Sequence, residues 1–172
     1  MLTNFTFKFY KKYINYILVF LGILFVHSTI LDFIAIQEIT PDLFIILVVW
    51  IALKEETVFS LIAAFAVGLF FDLVSADIIG TNALSKTVAA FTASFFYKET
   101  ETHKITKNYR FILIVALVAF VHNLIYYFFY IKTSEQNFMI FYLKYGVASA
   151  VYTTFFAALL FLFQIPSNRI KM

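Results

Sequence analysis

The chain contains no cysteine among its 172 residues. That excludes disulfides, zinc–thiolate centres and thiol catalysis. Only four glycines, two prolines and one tryptophan are present, and no linker, repeat or low-complexity segment appears. Charge is scarce as well: 13% of residues are charged, against about 25% in soluble domains. What fills the space is apolar. Hydrophobic residues make up 63% and aromatics 21%, with 24 Phe and 11 Tyr, and the mean hydropathy is +0.90. Such a composition suits a helical membrane protein, because lipid rather than water faces its surface. The formal charge of +3 is small, so its placement carries more information than its size.

The N-terminus has a basic stretch (Lys8, Lys11, Lys12) and an apolar run from Ile17 to Val26, with no A-x-A-like cleavage site. An uncleaved first membrane helix is expected. Six apolar segments are expected as helices, at about 13–31, 39–53, 57–74, 79–97, 109–131 and 138–163. Together they predict an all-α membrane protein, a single six-transmembrane-helix bundle over 1–172. The second segment is short for a span of roughly 20 residues. Thr40-Pro41-Asp42 reads as its N-cap, first helical proline and first-turn acid.

Lysine and arginine divide unevenly between the two ends of such a bundle. Ten (Lys8, Lys11, Lys12, Lys54, Lys98, Lys104, Lys107, Arg110, Arg169, Lys171) fall on the side of the termini, and three (Lys86, Lys132, Lys144) on or toward the other. The split places both termini in the cytoplasm. Asp32, Glu38, Asp42, Asp77 and Glu135 lie on the opposite side. The longest polar stretch, Lys98 to Arg110, is an inside loop with no phosphate-cradling glycines.

Small residues at four-residue spacing mark helix contacts, since lipid gives helices no hydrophobic reason to associate. Ser60, Ala64, Gly68 and Asp72 form one such stripe, Asn82, Lys86, Ala90 and Ser94 a second, and Gly146, Ala150 and Thr154 a third, with Thr153 and Ala157 close by. Phe71 to Lys86 reads as a tight outer hairpin. Ser75, Ala76 and Asp77 form its turn, Gly80 permits positive φ, and Thr81 or Asn82 caps the next helix. Asp72 and Lys86 then sit at similar depth, either paired across the hairpin or each reaching separately to the interface. His27, His122 and Asn123 are expected to make structural hydrogen bonds between helices.

Pro41-Asp42-Leu43, Ala52-Leu53 before a polar turn, Gly68-Leu69-Phe70-Phe71-Asp72-Leu73 and Gly80-Thr81-Asn82-Ala83-Leu84 follow one another in an order and spacing that resembles the bacterial MreD family of rod shape-determining proteins. Lys86 is not carried over as a family feature. The resemblance implies an integral protein of the bacterial cytoplasmic membrane that works in the elongation machinery. It implies association with an MreC-like membrane protein, and indirect links to MreB filaments, to the polymerase RodA and to RodA's transpeptidase partner. It also implies a fold similar to the S components of energy-coupling-factor transporters.

Read from the residues, the chain displays no nucleophile–base constellation, metal-ligand cluster or nucleic-acid-binding pattern, and no cofactor is expected. The expected function is a non-enzymatic scaffold. Its candidate structural and partner-binding residues are Pro41, Asp42, Gly68, Asp72, Gly80, Asn82 and Lys86. Its docking face would be a groove of small and aromatic side chains, rimmed on the outside by the turns around Asp42 and Asp72 to Asn82. The alternative is a small-molecule-binding S component of a transporter. The first segment, YINYILVFLGILFVHSTIL, carries no alanine stripe of the kind those components use. An ion-conducting subunit is a third reading, resting only on scattered polar groups.

Overall fold

The computed structural model describes residues 2–37, 39–75, 78–100, 102–131 and 137–164. Lys132, Arg169 and Lys171, which were used in the topology argument, Glu38, Asp77 and Glu135, which were only placed by it, and Ala76 of the expected turn lie outside the described residues. The described residues form eight helices: α1 (Leu2–Thr29), α2 (Leu43–Ala52), α3 (Thr57–Ser75), α4 (Thr81–Ser94), α5 (Thr102–Thr106), α6 (Arg110–Ile131), α7 (Phe138–Phe141) and α8 (Val147–Gln164). No named strand occurs among them. A 3-10 turn spans Leu31–Ile34, and a π-turn, Tyr142–Gly146, joins α7 to α8.

Among the described residues, four spans are long and apolar enough to cross a bilayer: Lys11–Thr29, Thr57–Ser75, Arg110–Ile131 and Phe138–Phe163. The two remaining expected spans are shorter than the sequence suggested. The fourth, expected over 79–97, is the 14-residue α4. The second, expected over 39–53, is the 10-residue α2, which rises about 15 Å at 1.5 Å per residue and so covers half of a ~30 Å hydrocarbon core.

The reason lies in the caps. Asp42 is itself the N-cap of α2, its Oδ1 accepting from the amides of Phe44 (2.9 Å) and Ile45 (3.2 Å). Pro41 therefore stands just outside the helix rather than at its first position. The chain before it is tied to α8 instead. Tyr152 Oη donates to the Ile34 carbonyl (2.7 Å), Ser149 Oγ to that of Thr40 (3.2 Å), and the Asp42 amide donates to Thr153 Oγ1 (2.9 Å).

A helix apolar on every side belongs in the interior. Eight of the ten residues of α2 are buried, and α3, α4, α6 and α8 surround it. Ile45, Val49 and Ala52 pack with Val115, Val118 and Ala150 in the larger core, while Phe44 and Val48 join Ala64 and Ala90 in a second. The third small-residue stripe holds in part, for Ala150, Thr153 and Ala157 are fully buried.

The tightest contact is α3 against α4. A Cβ added at Gly68 would stand 2.5 Å from Ala83 Cα and from the Asn82 carbonyl oxygen. The two backbones touch there, and only glycine permits it. α1 differs from all of these: only 6% of its membrane span is buried. Tyr13 leans on Phe59 (5.1 Å between ring centroids), Tyr16 on Trp50 (5.5 Å) and Phe20 on Phe44 (5.7 Å).

Candidate functional site

The two ends of the bundle carry different chemistry. At one end Lys12 pairs with Glu55 (2.7 Å), whose other oxygen accepts from Tyr16 Oη. Lys54 lies 3.8 Å above the Trp50 ring. Burial lowers the Lys54 pKa below the usual lysine value; Glu55 opposes this, and Lys107 and Lys12 add to it. Lys12, Lys54 and Lys107 thus share an end, as their expected common side required. The Lys12–Glu55–Tyr16 cluster was not anticipated. Its signal was present in the polar turn Lys54-Glu55-Glu56, which the expected topology sets beside the foot of the first helix.

The other end is built on two carboxylates. Asp72, at 1% exposure, sits one helical turn beyond Gly68 on α3. The close approach at Gly68 carries it onto the start of α4. Its Oδ2 accepts from the amides of Gly80 (2.8 Å) and Ala83 (3.2 Å), and its Oδ1 from that of Asn82 (3.0 Å). Those groups belong to a helix N-terminus, where unpaired amides and the helix dipole both favour an anion. Gly80 makes the turn possible with φ of 98°, a region where side chains are strained.

Asp72 therefore caps α4 from outside that helix and does not pair with Lys86. Lys86 turns the other way. Its ammonium, on a fully buried side chain, donates to Asp42 Oδ2 (2.8 Å) and to Asn82 Oδ1 (2.8 Å), and lies 4.8 Å from the Phe71 ring centre. Neither expected alternative, the Asp72 pair or separate reaching to the interface, describes it. An extended hairpin places Asp72 and Lys86 opposite one another. The amides of α4 outcompete the lysine because three of them converge on one carboxylate. Lys86, one turn into α4, then faces α2.

Of the candidate residues, the structure brings Asp42, Asn82 and Lys86 into one hydrogen-bonded group, and Gly68, Asp72 and Gly80 into the α3–α4 joint. Pro41 is buried on the connection just before Asp42. His122 and Asn123 join them from α6; Asn123 makes the expected hydrogen bond to another element, whereas the hydrogen bond of His122 stays on its own helix. Asn123 Nδ2 donates to the carbonyl of Gly146 in the π-turn (2.7 Å), and its Oδ1 lies 3.0 Å from His122 Nδ1. His122 Nε2 stands 4.0 Å from Asp42 Oδ2.

These groups line a cavity of about 600 Å³ walled by Pro41, Asp42, Asn82, His122 and four tyrosines, Tyr126, Tyr127, Tyr130 and Tyr145. Its size falls within the roughly 300–1,000 Å³ of small-molecule sites. A second hollow, about 490 Å³ and almost wholly apolar, runs between α1 and α3, with Tyr13, Tyr16, Phe20, Ala63, Ala66 and Phe70 on its walls. It contains the small and aromatic residues expected of a docking groove. The turns around Asp42 and Asp72 do not line it; Asp42 and Asn82 border the polar cavity instead. Among the described residues no group of three or more His, Asp or Glu is placed to hold a metal ion.

No curated protein and no solved structure matches the chain. The family model described as rod shape-determining protein MreD matches residues 10–170. That stretch contains every element from the third turn of α1 to the end of α8, including both carboxylate-capped helix starts. With four helices long and apolar enough to cross a bilayer, this integral membrane protein belongs to the MreD family of rod shape-determining proteins.

Proposed function

We propose that the protein is a non-enzymatic scaffold of the rod elongation complex that docks the transmembrane helix of an MreC-like partner. Through that partner it would help couple MreB filaments to peptidoglycan synthesis by RodA and its transpeptidase. The family match over residues 10–170 carries this reading. The groove between α1 and α3 supports it, because small residues flanked by rings suit the close approach of another helix in lipid. In this proposal the chain lies in the bacterial cytoplasmic membrane with both termini in the cytoplasm. α2 and α4 complete six passes with help from their neighbours, and the arrangement is similar to transporter S components.

Co-purification in mild detergent tests the proposal. Recovery of an MreC-like protein with the wild type, and its loss when Ala63 and Ala66 are both changed to Phe at unchanged membrane abundance, is the expected result. Normal rod morphology after deletion of the gene in its native host would remove the role altogether.

A further inference from the structure

The cavity beside Asp42 is more elaborate than a docking scaffold requires. Asn123 fixes the reading of its most unusual atom. Because Asn123 Nδ2 is committed to the Gly146 carbonyl, the amide presents Oδ1 to His122, so His122 Nδ1 is the donor of that contact. In the neutral ring Nε2 then carries a lone pair. It is buried and has no hydrogen-bond partner, and the nearest carboxylate oxygen, Asp42 Oδ2, is another acceptor 4.0 Å away. Two acceptors thus stand 4.0 Å apart, and of the two only Asp42 Oδ2 has a donor, the Lys86 ammonium. Asp42, with 18% of its side chain exposed, is the one a ligand reaches first.

We propose that this cavity is a binding site for a small neutral ligand bearing hydroxyl groups on a ring, a polyol or sugar. Two neighbouring hydroxyls would donate, one to Asp42 and one to His122. Charge argues for neutrality. Lys86 already holds Asp42 Oδ2 at 2.8 Å, so a ligand ammonium would meet a buried ammonium across one oxygen. A ligand anion would meet the carboxylate and the imidazole lone pair. The wall argues for a ring. Tyr126 stacks on His122 nearly parallel, at 9° and 6.0 Å, and on Tyr130 at 21° and 5.8 Å. With Tyr127, Tyr145, Phe71 and Phe141 they make most of the cavity lining aromatic, and an aromatic wall packs against the C–H face of a saturated ring. The assignment does not rest on the scaffold role, whose test is the recovery of a partner.

The test uses the full chain in phosphatidylcholine nanodiscs prepared without sugar-based detergent. Methyl β-D-glucopyranoside, ethanolamine and inorganic phosphate are titrated separately, and tyrosine emission and the unfolding midpoint are read. A saturable response to the glucoside, with a midpoint that climbs with its concentration, is expected, together with little response to the other two probes. His122→Phe and Tyr126→Leu should each weaken the glucoside response at least tenfold. Tyr126→Leu, at a half-buried position, carries the comparison if His122→Phe does not fold. The proposal is overturned by the absence of a saturable glucoside response in the wild type. It is also overturned by a stronger response to ethanolamine or phosphate, or by unchanged glucoside affinity in the folded variants.

Discussion

Asp42 stands at the start of α2 and Asp72 near the end of α3, yet each delivers its carboxylate to a helix N-terminus. Asp42 caps its own helix through one oxygen and leaves the other to Lys86 and to the cavity. Asp72 caps a different helix, spends both oxygens on three backbone amides and is sealed from solvent. One residue type thus plays one capping role with two outcomes. Where both oxygens are engaged by backbone, the carboxylate is a joint between helices. Where one oxygen faces a side chain and a hollow, the same cap is also a place where chemistry can be read. The second environment, not the first, is where a small ligand should be sought.

The comparison breaks most completely at Gly68. Gly68→Leu would push α3 off α4, since even a Cβ at that position meets backbone at 2.5 Å, and withdraw Asp72 from its amides. Loss of the folded protein is expected, read as collapse of membrane abundance and of the monodisperse peak in detergent. Asp72→Ala keeps the helix contact and removes only the cap. Orphaning buried amides at about 1–3 kcal/mol each, partly offset by relief of a buried charge, points to a loss of about 3 kcal/mol. A lowered unfolding midpoint should show it.

The Asp42 side responds differently. Lys86→Met leaves a carboxylate without its cation but still capping α2 and partly solvated, so about 2 kcal/mol is expected. A double-mutant cycle sharpens the contrast. Asp42→Asn with Lys86→Met should show coupling of at least about 1 kcal/mol, and Asp72→Asn with Lys86→Met clearly less. Equal coupling in the two cycles would contradict the division of labour described here. The smallest effect belongs to the opposite end. Tyr16→Phe removes one hydrogen bond to Glu55 and should cost about 1 kcal/mol, leaving the glucoside response and both cycles unchanged.

Much of this architecture was legible in the residues. Long apolar runs announced α3 and α6 to within a few residues and the membrane-crossing part of α1, although α1 itself begins at Leu2, well before the expected residue 13, and the stripe through Gly68 located the closest helix contact. Positive φ at Gly80 was likewise readable, because the turn between two apolar helices needed a residue without a Cβ. The lengths of α2 and α4 were not. An apolar run reports what lipid or core tolerates, and Thr40-Pro41-Asp42 supports a cap at any of several positions until α8 supplies Ser149 and Thr153. The cluster of Glu55 with Lys12 and Tyr16 joins residues about forty positions apart, beyond the reach of any local pattern.

The sequence by itself determined that this is a helical membrane protein without thiol chemistry, and it marked which few polar residues had to be explained inside it. That much follows from composition and period, because hydrocarbon admits only backbone that satisfies its own hydrogen bonds. Tertiary structure alone decided the partners of those residues. The pairing of Lys86 with Asp42 rather than Asp72, and the facing acceptors of Asp42 and His122, depend on how four helices converge on the start of α2. Spacing along a single chain carries no record of that convergence.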